Sequence, residues 1–272
     1  MLKYLLAHPL TRGLDLDDPE TTVLRRRIIK EKQFLYSLYR EWYARLIAAI
    51  PAREDCPGAV LELGSGGGFF REMLPECLCS DVFFCPGNDL VLDARRLPFR
   101  TASLRAIVMV DVFHHIPDVA AFLREAGRVL RPGGVIAMWE PWNTPWSRLI
   151  YQNLHHEPFE PEREDWAFPA GGPLSTANDA LSWMVFARDR ERLSRDFPLL
   201  RVESVIPDFP FSYLASGGVS MRALAPAFSY RLMRVFERAL GPLLNTCAMF
   251  AQIVVRRVPG GGAAADTSAG GM

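Results

Sequence analysis

Ten consecutive residues carry the densest chemical signal in the chain: Val60-Leu61-Glu62-Leu63-Gly64-Ser65-Gly66-Gly67-Gly68-Phe69. An apolar run enters a glycine loop, and a short helical pattern follows. Residues without Cβ let a backbone turn sharply and touch a ligand closely. The alternate glycines Gly64, Gly66 and Gly68 come just after an acid, Glu62. Asp81 falls at the end of a second apolar run, where a carboxylate can accept both hydroxyl hydrogens of a ribose diol. Asp93 follows a third run, in Val91-Leu92-Asp93-Ala94-Arg95-Arg96-Leu97-Pro98-Phe99, where an acceptor can meet an adenine amino group. A fourth run enters Asp111-Val112-Phe113-His114-His115-Ile116-Pro117-Asp118, and Glu125-Ala126-Gly127-Arg128-Val129-Leu130-Arg131-Pro132-Gly133-Gly134 comes after it.

Two ligand classes compete for such a loop, dinucleotides and S-adenosylmethionine. The dinucleotide fingerprint G-x-G-x-x-G asks for a third glycine where this chain has bulky Phe69. The spacing here is G-x-G-x-G. Taken as an ordered set, the loop, the two downstream acids and the Leu-Arg-Pro-Gly-Gly turn resemble class I S-adenosylmethionine-dependent methyltransferases, particularly the small-molecule group. The resemblance covers roughly residues 58 to 140. The stretch between Phe70 and Asp81, with Pro75 inside it, is short by that family's pattern.

Carried over residue by residue, the resemblance implies a methyl-donor site. Glu62 would approach the donor's amino group, and Gly64, Ser65 and Gly66 would line its methionine part. Asp81 would hold the ribose. Asp93 and the backbone at Ala94 would meet the adenine, and Val110 and Asp111 would flank the donor. The implied fold is α/β, a Rossmann-like seven-stranded sheet in the order 3-2-1-4-5-7-6 with the last strand antiparallel. The implied reaction is methyl transfer to a small-molecule acceptor by in-line displacement at a sulfonium carbon. Alternatives are a non-catalytic donor-binding regulatory protein and, disfavoured by Phe69, a nicotinamide-dependent oxidoreductase.

A sulfonium is already a good leaving group, so the protein chiefly supplies alignment and desolvation. A base is required only where the acceptor must lose a proton. Candidates are His115 past the fourth run, Glu140 at the end of a fifth, and His156 in His155-His156-Glu157. Adjacent histidines point apart on a helix and no third ligand is evident nearby, so no metal site is expected. Proline-, glycine- and aromatic-rich residues 141–186 suggest a lid over an apolar, ring-bearing, lipid- or saccharide-linked acceptor.

The elements that must position these groups follow from pattern. Asp18-Pro19 reads as a helix start, and Ile28, Leu35, Leu38, Trp42, Leu46 and Ile50 then form one apolar stripe that Pro51 ends. Residues 1–57 are thus read as a helical cap, 58–258 as the core and 259–272 as a Gly/Ala-rich disordered tail. From residue 58, strands (59–63, 78–83, 90–92, 106–112, 135–139) alternate with helical runs, which indicates a parallel sheet with crossover helices. A helix near 188–196, a strand near 201–206, a helix near 227–240 and a strand near 248–255 complete it.

Composition fits this reading. The 272 residues are 49% hydrophobic and 23% charged, with 31 basic and 31 acidic side chains. Formal charge is therefore balanced, and no global field favours nucleic acid or an anionic membrane. Five scattered cysteines match no common zinc framework and fit a reducing cytoplasm. No run approaches the length needed to span a bilayer.

Overall fold

The computed structural model describes residues 8, 10, 18–155, 157–169, 171–172 and 176–259. Its centre is a seven-stranded sheet in the expected order β3-β2-β1-β4-β5-β7-β6. The strands are β1 (Ala59–Glu62), β2 (Leu78–Asp81), β3 (Leu90–Val91), β4 (Leu104–Val110), β5 (Leu130–Pro141), β6 (Leu200–Asp208) and β7 (Phe250–Arg257). Pairs among β1 to β5 are parallel, and β7 runs antiparallel between β5 and β6. β4 is buried almost throughout, and its β-branched run suits a strand covered on both faces.

Helices α1 (Pro19–Glu31), α2 (Gln33–Ala49), α3 (Val119–Val129), α4 (Pro145–Leu154), α5 (Arg190–Asp196) and α6 (Tyr230–Ala239) flank the sheet. α1 starts as its sequence dictates: the Asp18 side chain accepts from the Glu20 N–H, and Pro19 takes the first helical position. The apolar stripe of α2 is buried, with Trp42 stacked on Trp139 of β5 at 5.9 Å. α3 buries Phe122, Leu123, Ala126 and Val129 against the sheet. A buried ionic knot ties α2 to the far edge: Arg234 of α6 reaches Glu41 at 2.9 Å and Asp208 at 2.8 Å, and also pairs with Glu237.

Three local expectations are corrected. The N-terminal helix is two helices, broken at Lys32, whose ammonium leaves the helix line to bind the carbonyls of Gly218 and Met221. The Arg131-Pro132-Gly133-Gly134 turn is a bulge inside β5: Leu104 pairs with Leu130 and Ala106 already with Val135, so the extra residues loop out at Gly133. The short helical pattern expected after the glycine loop is a single 3-10 turn, Phe70–Glu72. The 260–272 part of the tail lies outside the described residues. Among the described residues no helix is long and apolar enough to cross a membrane.

Candidate functional site

The carboxyl ends of β1, β2 and β4 open into a crevice of about 800 Å³. Ligand sites in open α/β sheets form at this edge, where the strand order reverses. All nine residues expected to hold the donor line it: Glu62, Gly64, Ser65, Gly66, Asp81, Asp93, Ala94, Val110 and Asp111.

The loop after β1 is held from behind. The Ser65 N–H donates to the Ser80 carbonyl at 2.8 Å, and the Ser80 N–H returns a bond to the Ser65 hydroxyl at 3.1 Å. Asp81, the last residue of β2, accepts the Gly66 N–H at 2.9 Å and the Val82 N–H at 2.7 Å. Gly64 has φ +64, and a Cβ there would lie 2.4 Å from the Val112 side chain. No other residue fits that place without displacing the wall of the crevice. A Cβ on Gly68 would meet the Tyr43 hydroxyl at 2.4 Å.

The floor is acidic. Burial pushes the Glu62 carboxyl up to about 8 and that of Asp111 up to about 7; burial also raises Asp81, against the pull of the Val82 and Gly66 amides. Asp111 stands in the left-handed region at φ 62, a costly backbone state for a residue with Cβ and one that clusters at functional sites. Asp93 behaves differently. Arg95 holds it through Nε at 3.0 Å and Nη2 at 2.7 Å and keeps its carboxyl below the usual range. Any adenine contact there must share that carboxylate with Arg95.

Three candidate bases were expected, and the structure separates them. His115 lines the crevice; its Nδ1 meets the Thr176 carbonyl at 3.0 Å, and burial with neighbouring His114 pushes its pKa down to about 4. Glu140 is fully buried behind the wall, outside the crevice lining. Its oxygens accept the Val112 and Phe113 N–H groups at 2.9 and 2.8 Å and approach His114 Nδ1 at 2.7 Å. Glu140 thus shapes the loop after β4 and fixes the His114 ring. His156 lies outside the described residues, while His155 and Glu157 line the crevice.

Several contributors escaped the sequence reading. Thr21, Thr22 and Arg25 of α1 lean over the glycine loop, and Arg26 donates to the Gly66 carbonyl at 3.1 Å. Tyr213, Val219 and Met221 also line the crevice. The basic start of α1 was visible as charge, but nothing in its spacing says which loop it faces. His114 and Asp179 were also missed, and no local pattern flags either.

Residues 61–138 match the family model for a methyltransferase domain. A phthiotriol/phenolphthiotriol dimycocerosates methyltransferase of Mycobacterium ulcerans (strain Agy99) is 42% identical over 60 residues, 22% of this chain and 22% of that protein. The 27-O-demethylrifamycin SV methyltransferase of Amycolatopsis mediterranei (strain S699) is 44% identical over 46 residues, 17% of each chain. The chain therefore spans about a fifth of the length of these curated relatives. Among solved structures, geranyl diphosphate C-methyltransferase from Streptomyces coelicolor A3(2), in complex with Mg2+, geranyl diphosphate and S-adenosyl-L-homocysteine, matches with a TM-score of 0.50. That match is 15% identical and covers 93% of this chain and 92% of the other, a likeness of fold.

Proposed function

We propose that this chain, which carries a methyltransferase domain on the class I fold, transfers the methyl group of S-adenosylmethionine to a small-molecule acceptor. The observation that carries the reading is the convergence of Glu62, the Gly64–Gly66 loop and Asp81 at one end of the sheet. The cradle suits the donor. A sulfonium and an ammonium favour an acidic floor, and Gly64 and Gly66 leave room for the methionine part against bare backbone. The Asp81 oxygens retain acceptor capacity for a ribose diol beyond the two amides they hold. Asp93 and Ala94 stand where the adenine would end.

The donor supplies an electrophilic methyl carbon whose leaving group departs as a neutral thioether. The chain's own residues align the acceptor with that carbon and exclude water. Where the acceptor must lose a proton, His115 is the uncharged imidazole that faces the crevice. The apolar rings of Tyr39, Tyr213 and Phe83 in the lining favour an acceptor with an apolar body. A lipid acceptor has precedent in the mycobacterial relative, whose name specifies a dimycocerosate substrate. Within 1–57 the described helices α1 and α2 serve as a helical cap over the donor, and the described residues of 141–186 serve as the lid over the acceptor. The five cysteines are all free and four are buried, which supports a reducing cytoplasm as the working compartment.

The test is calorimetry with S-adenosylmethionine, S-adenosylhomocysteine and NADH, followed by an untargeted metabolite screen with labelled donor. Binding of both sulfur nucleosides and labelling of an extract component support the reading. Binding of NADH alone overturns it.

A further inference from the structure

Beyond the donor floor, the crevice holds a cluster of histidines and carboxylates that methyl transfer from a sulfonium does not by itself require. Glu157 Oε2 lies 3.4 Å from His114 Nε2, and Glu157 Oε1 lies 3.9 Å from His115 Nε2. Asp179 Oδ1 lies 3.7 Å from the same His114 nitrogen, and Asp179 Oδ2 lies 2.9 Å from His155 Nδ1. The candidate ligand atoms of His155, Glu157 and Asp179 all fall within 4.8 Å of one another.

The ring orientations are fixed from outside. A backbone carbonyl only accepts, so His115 must donate from Nδ1 to Thr176. Glu140, already bonded to two amides, receives Nδ1–H of His114 at 2.7 Å. In both rings Nε2 is therefore the atom turned toward the carboxylates. A carboxylate that orients a histidine through one nitrogen while the other faces a cation is the usual outer-shell arrangement of metal sites. Asp179 adds an independent sign. It is fully buried, and the groups that face it are imidazole nitrogens, with Oδ2 2.9 Å from His155 Nδ1 and Oδ1 3.7 Å from His114 Nε2. A buried carboxylate is costly unless a cation meets it, and an ion held by these same imidazoles would do so.

Spacing agrees. An ion with bonds of about 2.0–2.1 Å in a tetrahedral site sets its ligand atoms roughly 3.3–3.4 Å apart. The separations of 3.4 and 3.7 Å between His114 Nε2 and the two carboxylates need only small side-chain adjustments to reach that geometry. We propose that His155, Glu157 and Asp179, with His114 Nε2 as fourth donor, bind a first-row divalent transition ion at the acceptor end of the crevice, zinc being the simplest. The two imidazoles among its four donors select such an ion over magnesium, which prefers oxygen ligands and retained water. A fifth coordination position on the ion would face the space lined by His115, where it would bind an acceptor oxygen and lower that oxygen's proton affinity. The released proton passes to His115 Nε2 and on to solvent, the oxygen lone pair forms the new bond to methyl, and the carbon–sulfur pair leaves with sulfur. This role rests on the methyl-transfer reading; the binding of the ion does not. The absence of metal expected from the His155-His156-Glu157 spacing is revised because the third and fourth ligands come from distant segments, and because His155 caps the end of α4 instead of sitting within it.

The experiment uses the full chain, freed of metal by chelation and titrated calorimetrically with zinc chloride. A cobalt titration followed by visible spectroscopy and a separate titration with S-adenosylhomocysteine run alongside. One zinc per chain is expected, with a cobalt spectrum of low coordination number. Asp179→Asn is expected to weaken zinc at least tenfold while the homocysteine product binds as before; Glu157→Gln repeats the test at a crevice-lining position should Asp179→Asn fail to fold. Glu140→Gln should weaken zinc about 10–100-fold through the loosened His114 ring. Zinc binding must survive the double change Cys77→Ser and Cys79→Ser. The proposal is overturned by a chain that binds S-adenosylhomocysteine but neither zinc nor cobalt, by magnesium binding in preference to zinc, by unchanged zinc affinity in both Asp179→Asn and Glu157→Gln, or by loss of zinc in the cysteine double variant. A chain that takes up zinc with the expected variant pattern but no sulfur nucleoside sustains the metal site and sinks the methyl-transfer reading alone.

Discussion

Glu62 offers the sharpest test of the donor site, because its burial makes donor affinity depend on pH. Its carboxyl is pushed up to about 8, so the ligand-free protein holds it mostly neutral at pH 7. A donor carrying ammonium and sulfonium charges favours the ionised form. Affinity should then follow the ionised fraction, which is roughly one tenth at pH 7 and one half at pH 8. The donor Kd is expected to tighten about fivefold across that single unit from Glu62 alone. Asp111, pushed up to about 7, is half ionised at the start of this window and adds less than about twofold. Glu62→Gln should remove most of the slope and leave the affinity near its weak, low-pH value. The sign for stability is opposite. A carboxyl raised in the folded state stabilises below its unfolded pKa, and that contribution fades as pH rises through 4.5 toward 8. The melting temperature of the ligand-free protein should therefore fall over that range, and the rise caused by donor should grow. Calorimetric titration at half-unit steps from pH 6 to 8.5 and thermal melts with and without donor read both effects. A flat Kd between pH 7 and 8 in the wild type, or a slope unchanged in Glu62→Gln, would refute the assignment of Glu62 to the donor's cationic end.

Other outcomes follow from the same geometry. Asp81→Ala should weaken the donor by one to two orders of magnitude, since it removes a charged acceptor and the anchor of the Gly66 amide; circular dichroism should show the fold retained. Gly66→Arg, at φ +22 and 3.2 Å from Asp81 at its Cβ, should abolish donor binding in a folded chain; unchanged affinity in both variants discredits the site. Gly64→Ala forces a side chain into Val112 and should cost about 1–3 kcal/mol in chemical denaturation. Arg234→Ala strands Glu41, Asp208 and Glu237 without their shared cation and should destabilise by about 3–5 kcal/mol, while the folded fraction binds donor as before.

The parts that could be read from sequence are those governed by local rules. Alternation of short apolar runs with helical ones specifies parallel strands and crossover helices. The loop at Gly64 to Gly68 announces itself because a backbone that must take a left-handed turn beside a ligand admits little but glycine. Asp81 and Asp93 were legible because the first closes a strand and the second follows one, and strands of a parallel sheet end on one edge. What the sequence could not show depends on packing between segments far apart in the chain. The break at Lys32 is set by carbonyls at Gly218 and Met221, nearly two hundred residues away. The bulge in β5 is set by where β4 demands register. The approach of His114, His155, Glu157 and Asp179 arises only when the loop after β4, the end of α4 and the segment before Leu181 meet over the sheet. Local spacing encodes which backbone shapes a segment prefers; which side chains become neighbours is decided by the burial of apolar faces that belong to different segments.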